Sequence, residues 1–365
     1  MNLLRIPVPC TIRSESGWER VRPQPKEVMS RKISRRHSMA LATAVGLALG
    51  ACGRSADNSS TGSGGSAAQG STVTIEDNRG SVDVALPVQR AASADNRTFE
   101  VLAQWDVPLV AAPKGLIPST VTAYNGDDVA DMGNHRDPDL VALTGAQPDL
   151  IISGQRFSRY DDQMAELNPD VPLLDLEPRE GQPLDSELAR QVTALGQVFG
   201  KETEAEQLVT DFNNALERAK AAYDGSSTVM ALNVSGGEIG YVAPTVGRTW
   251  GPLYDLVGLK PAPVDDEEAS SNHKGDDISV EALAEANPDW LLVLDRDGAI
   301  SADKEDYTPA QDVIAGNSAL QNVTAVTKGQ TVYAPKDTYT NESIITYTEI
   351  LNSMADAFEA AKAGN

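Results

Sequence analysis

Three arginines carry the clearest chemistry in this sequence. Arg156 follows Leu150-Ile151-Ile152-Ser153-Gly154, and Arg296 follows the run Trp290 through Asp295, so each stands just beyond an apolar strand-like stretch. Arg248 lies in Thr245-Val246-Gly247-Arg248, a glycine-containing loop after the strand-like Ile239-Gly240-Tyr241-Val242. A guanidinium stays protonated and presents a planar fork of donors, so its natural partner is an anionic oxygen. In open α/β sheets ligands sit at the C-terminal strand edge, where Arg156 and Arg296 fall. The rest of the chain makes these cations conspicuous. It holds 30 Lys and Arg against 53 Asp and Glu, a net charge of −23. Residues 1–51 contain nine of the basic and three of the acidic side chains, leaving 21 against 50 and a net charge of −29. That field repels nucleic acid and anionic lipid headgroups, so neither is a partner. It would repel an anionic ligand too, unless local arginines recruit it.

Other chemistry is sparse. Of three histidines only His135 and His273 lie beyond residue 51, which excludes a multi-histidine metal site. Ser153-Gly154 and Ser235-Gly236-Gly237 lack the context of a nucleophile elbow, and no phosphate-binding or dinucleotide glycine pattern occurs. The chain reads as a binding protein, not an enzyme, with no intrinsic cofactor. The cysteines are Cys10 and Cys52, so the folded part has no disulfide.

The elements that must position the arginines are legible. Val73 to Ile75 and Val82 to Leu86 alternate like strands around the turn Asn78-Arg79-Gly80. A weak repeat follows. Asp137-Pro138-Asp139-Leu140 leads through Leu143 to Pro148-Asp149-Leu150-Ile151-Ile152; Ser279-Val280-Glu281 leads through Leu283 to Pro288-Asp289-Trp290 and an apolar run. Each copy predicts a short helix, a Pro-Asp stop and a strand buried on both faces of a parallel sheet. Copies about 140 residues apart predict two lobes of similar α/β build. Between them, Leu184 to Phe199 is one amphipathic helix ended by Gly200. Glu202 to Tyr223 is another, about 33 Å long at 1.5 Å per residue, enough to bridge two lobes along their backs.

The N-terminal stretch predicts export. Arg31 to Arg36 precede an apolar run, Met39–Ala51, too short to span a bilayer and closing in Leu49-Gly50-Ala51-Cys52. This resembles a bacterial lipoprotein signal, which implies lipid attachment at Cys52 and a place on the extracytoplasmic face of the cell membrane. Ser34-Arg35-Arg36 also resembles the start of a twin-arginine motif, though Ser38 stands where a bulky apolar residue is usual. Residues 1–28 precede Met29, a better start for such a signal, and read as an over-extended beginning. Residues 52–72, rich in Ser and Gly, read as a flexible tether.

From Val73 onward the chain resembles the single-bridging-helix class of substrate-binding proteins of ABC transporters, within it the branch binding ferric siderophores of catecholate type. The carriers are Asp95-Asn96-Arg97-Thr98-Phe99-Glu100, Pro148-Asp149 through Ser153-Gly154-Gln155-Arg156, Gly247-Arg248 through Trp250-Gly251 and Tyr254, His273-Lys274-Gly275-Asp276-Asp277, and Pro288-Asp289-Trp290 through Asp295-Arg296. The resemblance implies two Rossmann-like lobes, 73–200 and 225–365, joined by one long helix at 201–224, with the ligand cleft between them. It implies a monomer that delivers a ferric siderophore to a membrane permease dimer. Arg156, Arg248 and Arg296 would then meet the negative charge of a ferric catecholate, with Trp250 as an aromatic wall alongside Phe157, Tyr160, Tyr241 and Tyr254; for Trp250 and Tyr254, at i and i+4 of an expected helix, packing in the core is the stronger alternative. His273 and Tyr339 would complete the iron shell where the siderophore supplies too few donors, although Thr338 stands where relatives carry a tryptophan. His135 sits on a loop that can also reach the cleft mouth. Glu281 would dock into a basic permease pocket; at the N-lobe counterpart stands Val141, so Asp137 or Asp139 would substitute. A haem or cobalamin carrier on the same fold, and a non-transport surface scaffold, stay open as alternatives.

Overall fold

The computed structural model describes residues 70–265 and 269–364. Cys52 and the expected signal lie outside them. The described chain opens with a hairpin of β1 (Ser71–Glu76) and β2 (Ser81–Leu86), paired from Ser71↔Leu86 to Glu76↔Ser81. The Asp77 carboxylate closes its turn by accepting from the Arg79 and Gly80 amides at 2.7 and 2.9 Å. Alternation sends Ile75 and Val84 into the core.

Two sheets follow in separate halves of the chain. The first contains β3 (Ala91–Ser93), β4 (Leu109–Ala112) and β5 (Ala130–Asp131). A two-residue hairpin, β6 (Gly133–Asn134) with β7 (Asp137–Pro138), then precedes β8 (Leu150–Ser153) and β9 (Leu173–Asp175). Its order is β5-β4-β3-β8-β9, all parallel. The second contains β10 (Thr228–Ser235), β11 (Glu238–Val242), β12 (Lys260–Pro261), β13 (Trp290–Asp295) and β14 (Thr331–Tyr333). It runs β11-β10-β13-β14, with β12 also on β10 and only β11 antiparallel. Strands β8 and β13 are buried along almost their whole length, as continuous apolar runs in covered parallel sheets must be.

The sequence repeat is a repeated structural unit. Asp139 caps the helix Leu140–Gly145 through the Ala142 amide at 2.8 Å, and Ser279 caps Val280–Glu285 through the Ala282 amide at 3.3 Å. Gln147 and Asn287, each before the proline, take positive φ of 51° and 42°. The next aspartate in each copy then holds the start of a neighbouring strand. Asp149 accepts from the Gln89 and Arg90 amides ahead of β3, and Asp289 accepts from the Thr228 amide of β10.

Helix Leu184–Phe199 ends at Gly200, which is left-handed (φ 64°) as expected. Helix Glu202–Ala222 follows, joining the two α/β halves. Its apolar face (Ala205, Phe212, Ala215, Leu216, Ala219) is covered by the C-terminal helix Ile344–Gly364, an element the sequence reading did not single out. Phe358 anchors that helix: its ring lies 4.7 Å edge-on from Trp290 and 5.4 Å from Tyr223. Arg218 adds ion pairs to Asp356 and Glu359 at 2.5 and 2.7 Å. The segment before the C-terminal helix bonds to the first half of the molecule. Asn96 Nδ2 donates to the Thr340 carbonyl at 2.8 Å, Ser343 Oγ to Glu100 at 2.6 Å, and Thr120 Oγ1 to Asp337.

Candidate functional site

Arg156, Arg248 and Arg296 line one cavity of about 270 Å³ at the C-terminal edges of both sheets, together with Tyr339, His135 and Arg136. The arginines arrive there by different routes.

Arg156 is on the turn after β8. Gly154 lets that turn pass Asp95, whose carboxylate any Cβ would overlap, and Gln155 adopts φ 53° to aim the next residue outward. Arg156 is exposed and has no carboxylate partner among the described residues; its Nη1 lies 3.1 Å from His135 Nε2. Beneath it burial raises the Asp95 carboxyl to about 6 despite nearby Arg97, and Gln191 donates to it at 2.9 Å.

Arg248 is far more constrained. Its loop is cinched by Gly247 N donating to Ala243 O and Gly251 N to Gly247 O, both at 2.9 Å. A Cβ on Gly247 would strike the Ala243 carbonyl and Val242. Thr245 and Thr249, both β-branched, take φ 68° and 67°, a costly conformation concentrated beside the site. The guanidinium donates to Glu342, Nε at 3.1–3.2 Å and Nη2 at 2.6 Å, and to the Tyr339 carbonyl at 3.1 Å. Glu342, 1 % exposed and itself at φ 53°, also accepts from Thr249 Oγ1 at 2.5 Å and lies 3.6 Å from Arg97 Nη2. Burial alone would raise the Glu342 carboxyl, but Arg248 and Arg97 outweigh it and hold it below the usual range. For Arg248 burial pulls down, and Glu342 reverses that and holds it above the ordinary arginine range.

Arg296 opens the helix Arg296–Ile300 and donates to Ser235 Oγ at 3.1 Å and Asp297 at 3.2 Å. Tyr339 lies between the two C-terminal arginines, with Arg248 Cζ 4.7 Å and Arg296 Cζ 4.8 Å from its ring centroid. Both arginines are thereby held over one aromatic ring.

His273 is not a lining residue of the cavity; it stands on a loop beside it. That loop is pinned where Gly240 and Gly275 pass too closely for any Cβ, by paired Tyr241 and Asp276 backbones, and by Asn233 Nδ2 donating to the His273 carbonyl at 2.8 Å. Desolvation and the fields of Arg296, Arg156, Arg248 and Lys274 lower the His273 pKa, keeping the imidazole neutral at neutral pH.

The aromatic expectations need correction. Trp250 is 0 % exposed and belongs to the core, as do Tyr254 and Tyr241; none offers a ring to a ligand. The reason is that helix Gly251–Val257 packs down on its sheet, with Tyr254 OH donating to the Val229 carbonyl at 3.2 Å. Phe157 is buried but reaches the cavity wall, and Tyr160 hydroxyl donates to the His135 carbonyl at 3.1 Å. Glu342 and Arg97 were missed. The only signal was a charged residue set among polar ones directly before the apolar start of a helix. Glu281 is exposed on the first turn of its helix, whereas Asp139 is engaged as a cap and Val141, 80 % exposed, takes the corresponding position.

A larger hollow of about 1030 Å³ is lined by 178–185 and by Thr245, Val246, Pro252, Asp255 and Leu256. Its arginine, Arg179, is tied to Glu187 at 2.5 Å, and Glu180, Asp185 and Asp255 add negative charge, so it does not suit an anion. Among the described residues no group of three or more His, Cys, Asp or Glu is placed to hold a metal ion. With three guanidiniums in its lining, the arginine cavity suits an anionic, oxygen-rich ligand.

Comparisons with known proteins identify similar chains. The ferric-anguibactin-binding protein FatB of Vibrio anguillarum is 24% identical over 292 residues, 79% of this chain and 88% of that one. The petrobactin-binding protein YclQ of Bacillus subtilis is 24% identical over 328 residues, 88% of this chain and 97% of that one. A TroA-like periplasmic binding protein of Xylanimonas cellulosilytica superposes with a TM-score of 0.65 at 27% identity, covering 80% of this chain and 99% of its own. A family profile described as periplasmic binding protein matches residues 92–338, which hold nearly all of both sheets and most of the cavity lining, and the chain belongs to the periplasmic binding protein family.

Proposed function

We propose that this protein is the substrate-binding component of an ABC importer, capturing a ferric siderophore of catecholate type and delivering it to a membrane permease for iron uptake. The observation that carries this reading is the convergence of Arg156, Arg248 and Arg296 on one cavity in a chain with a net charge of −23. A ferric tris-catecholate carries about three negative charges on directional oxygen acceptors, the ligand that forked, permanently charged donors fit best. The names of FatB and YclQ support a ferric-siderophore cargo.

The finer parts of the reading follow. A lipid at Cys52 would tether the protein, a monomer, at the extracytoplasmic face, and Glu281 would meet a basic pocket of the permease dimer. The lobes would run over 73–200 and 225–365 about a bridging helix near 201–224. Closure on ligand would be small, because that helix shares a core with the C-terminal helix.

The test is quenching of intrinsic fluorescence across ferric catecholates, ferric hydroxamates, haem and cobalamin. Preferential binding of the catecholates is expected; equal or tighter binding of haem or cobalamin overturns the assignment. For the tether, Cys52→Ala should release the protein from membranes, and retention after a high-salt wash would refute it.

A further inference from the structure

Arg136 lines the arginine cavity and has no role in the reading above. It stands at the tip of the β6–β7 hairpin, and that tip is constrained. Gly133 takes φ 71° where a Cβ would overlap the Asp137 carbonyl, and Asn134 Oδ1 accepts from the Arg136 amide at 2.9 Å. Arg159, on the turn after β8, is tied to the same tip. Its Cζ is 4.9 Å from the Tyr160 ring centroid, and the Tyr160 hydroxyl donates to the His135 carbonyl at 3.1 Å. Burial lowers the His135 pKa, and the fields of Arg156, Arg159 and Arg136 lower it further, so all three guanidiniums are close to one ring.

These three arginines are exposed, and none has a carboxylate partner among the described residues. The acids nearest Arg159 in sequence are drawn away from it. Asp161 and Asp162 pair with Arg79, from the turn between β1 and β2, at 3.7 and 3.1 Å, and Ser153 Oγ also donates to Asp161. Asp137, next to Arg136 in the chain, forms no ion pair with it. The cations of the other half are answered. Arg248 is forked onto Glu342 and Arg296 is paired with Asp297. Lys274, on the His273 loop, also lacks a carboxylate partner among the described residues, but it is one cation outside the cavity lining. An anion nearing a chain with a net charge of −23 is repelled by it as a whole. A local cation competes only within a screening length, about 10 Å at 0.1 M salt. Exposed, unanswered guanidiniums reach that far; a guanidinium neutralised by its own carboxylate does not.

We propose that Arg136 and Arg159 form a capture rim on the N-terminal half, whose field draws an anionic ferric chelate to the cavity and sets the rate of association, while the paired arginines hold the chelate once seated. The inference deepens the siderophore reading and rests on it. It gives binding an order: the chelate meets the N-terminal half first and the paired arginines of the C-terminal half afterwards. Steering needs charge and not the fork, so lysine serves at 136 and 159 as well as arginine does.

The test is stopped-flow fluorescence quenching of the full chain by a ferric tris-catecholamide, a trianion, at about 20 mM and about 500 mM salt. A variant carrying Arg136→Gln and Arg159→Gln should associate about tenfold more slowly at low salt and within about twofold of the wild type at high salt. Its dissociation rate should stay within about twofold of the wild type. The variant carrying Arg136→Lys and Arg159→Lys should associate as fast as the wild type. A slowing of less than about threefold at low salt overturns the capture rim. So does a slowing that persists at high salt, or a faster dissociation that lysine does not reverse, since either makes these arginines direct contacts of the bound chelate. In each of those outcomes the wild type still binds, and the siderophore reading stands. A wild type that does not bind the trianion overturns that reading and this inference together.

Discussion

Arg156 and Arg248 enter the same cavity from opposite halves of the molecule under opposite circumstances. Arg156 is exposed, has among the described residues an imidazole and no carboxylate as its side-chain partner, and is aimed by one left-handed residue. Arg248 is deeply set, forked onto buried Glu342, stacked on Tyr339 and flanked by two left-handed threonines. The first is free charge for an incoming anion. The second has its charge answered within the fold, and serves as a rigid wall whose remaining donors are fixed in direction. A cavity with only free arginines would repel itself; one with only paired arginines would have little left for a ligand. Arg296, held by Asp297 and Ser235, lies between these extremes.

The largest effect that would break this comparison is on stability. Glu342→Ala leaves Arg248 and Arg97 buried without their carboxylate, and should cost about 3–5 kcal/mol in denaturant unfolding. A loss below about 1 kcal/mol would mean that Arg248 is as free as Arg156. Next, Arg156→Ala should weaken a ferric tris-catecholate about ten- to a hundred-fold while leaving stability within about 0.5 kcal/mol. Lysine there should recover only part, because the charge returns without the fork. Arg248→Ala should lose both affinity and stability, and if it lost affinity alone the contrast would collapse.

A smaller effect concerns the two histidines. Their pKa values are lowered in the fold, so below the ordinary value of 6.5 the unfolded chain binds more protons than the folded one. Stability should therefore fall as pH drops through that value, and the slope should flatten in a variant carrying both His135→Gln and His273→Gln. In binding, His273→Ala should weaken four-donor chelates and spare six-donor ones, as titration with both would register. The smallest effect is at the repeated helices. Glu281→Ala should lower iron uptake in cells without changing ligand affinity, and Val141→Ala should lower it less; the reverse order would move the main permease contact to the N-terminal half.

Much of this was legible because it is local. The fully apolar runs at 150–152 and 290–294 specify doubly covered parallel strands, and Pro148-Asp149 and Pro288-Asp289 specify the stops before them. Residues that follow such strands must emerge at the C-terminal edge, which is why Arg156 and Arg296 could be assigned before any contact was known. The helix 202–223 was readable from its apolar spacing to within one residue. Trp250 failed for a physical reason: the periodicity of its helix reports an apolar face, and that face turned toward the sheet instead of the cleft.

The sequence by itself determined the two-lobed α/β plan, the anionic character of the chain and the sheet edge at which three cations collect. Only the tertiary structure decided which of those cations are free. Glu342 lies 94 residues from Arg248 in sequence, and nothing in the pattern around either announces the pair. An ion pair of this kind exists because packing of the C-terminal helix against helix Glu202–Ala222 brings the carboxylate to the Arg248 guanidinium. Likewise His135 meets Arg156 only because a two-residue hairpin and a strand end arrive side by side. Local pattern encodes which face of an element is apolar; which polar groups meet is settled by how those faces stack.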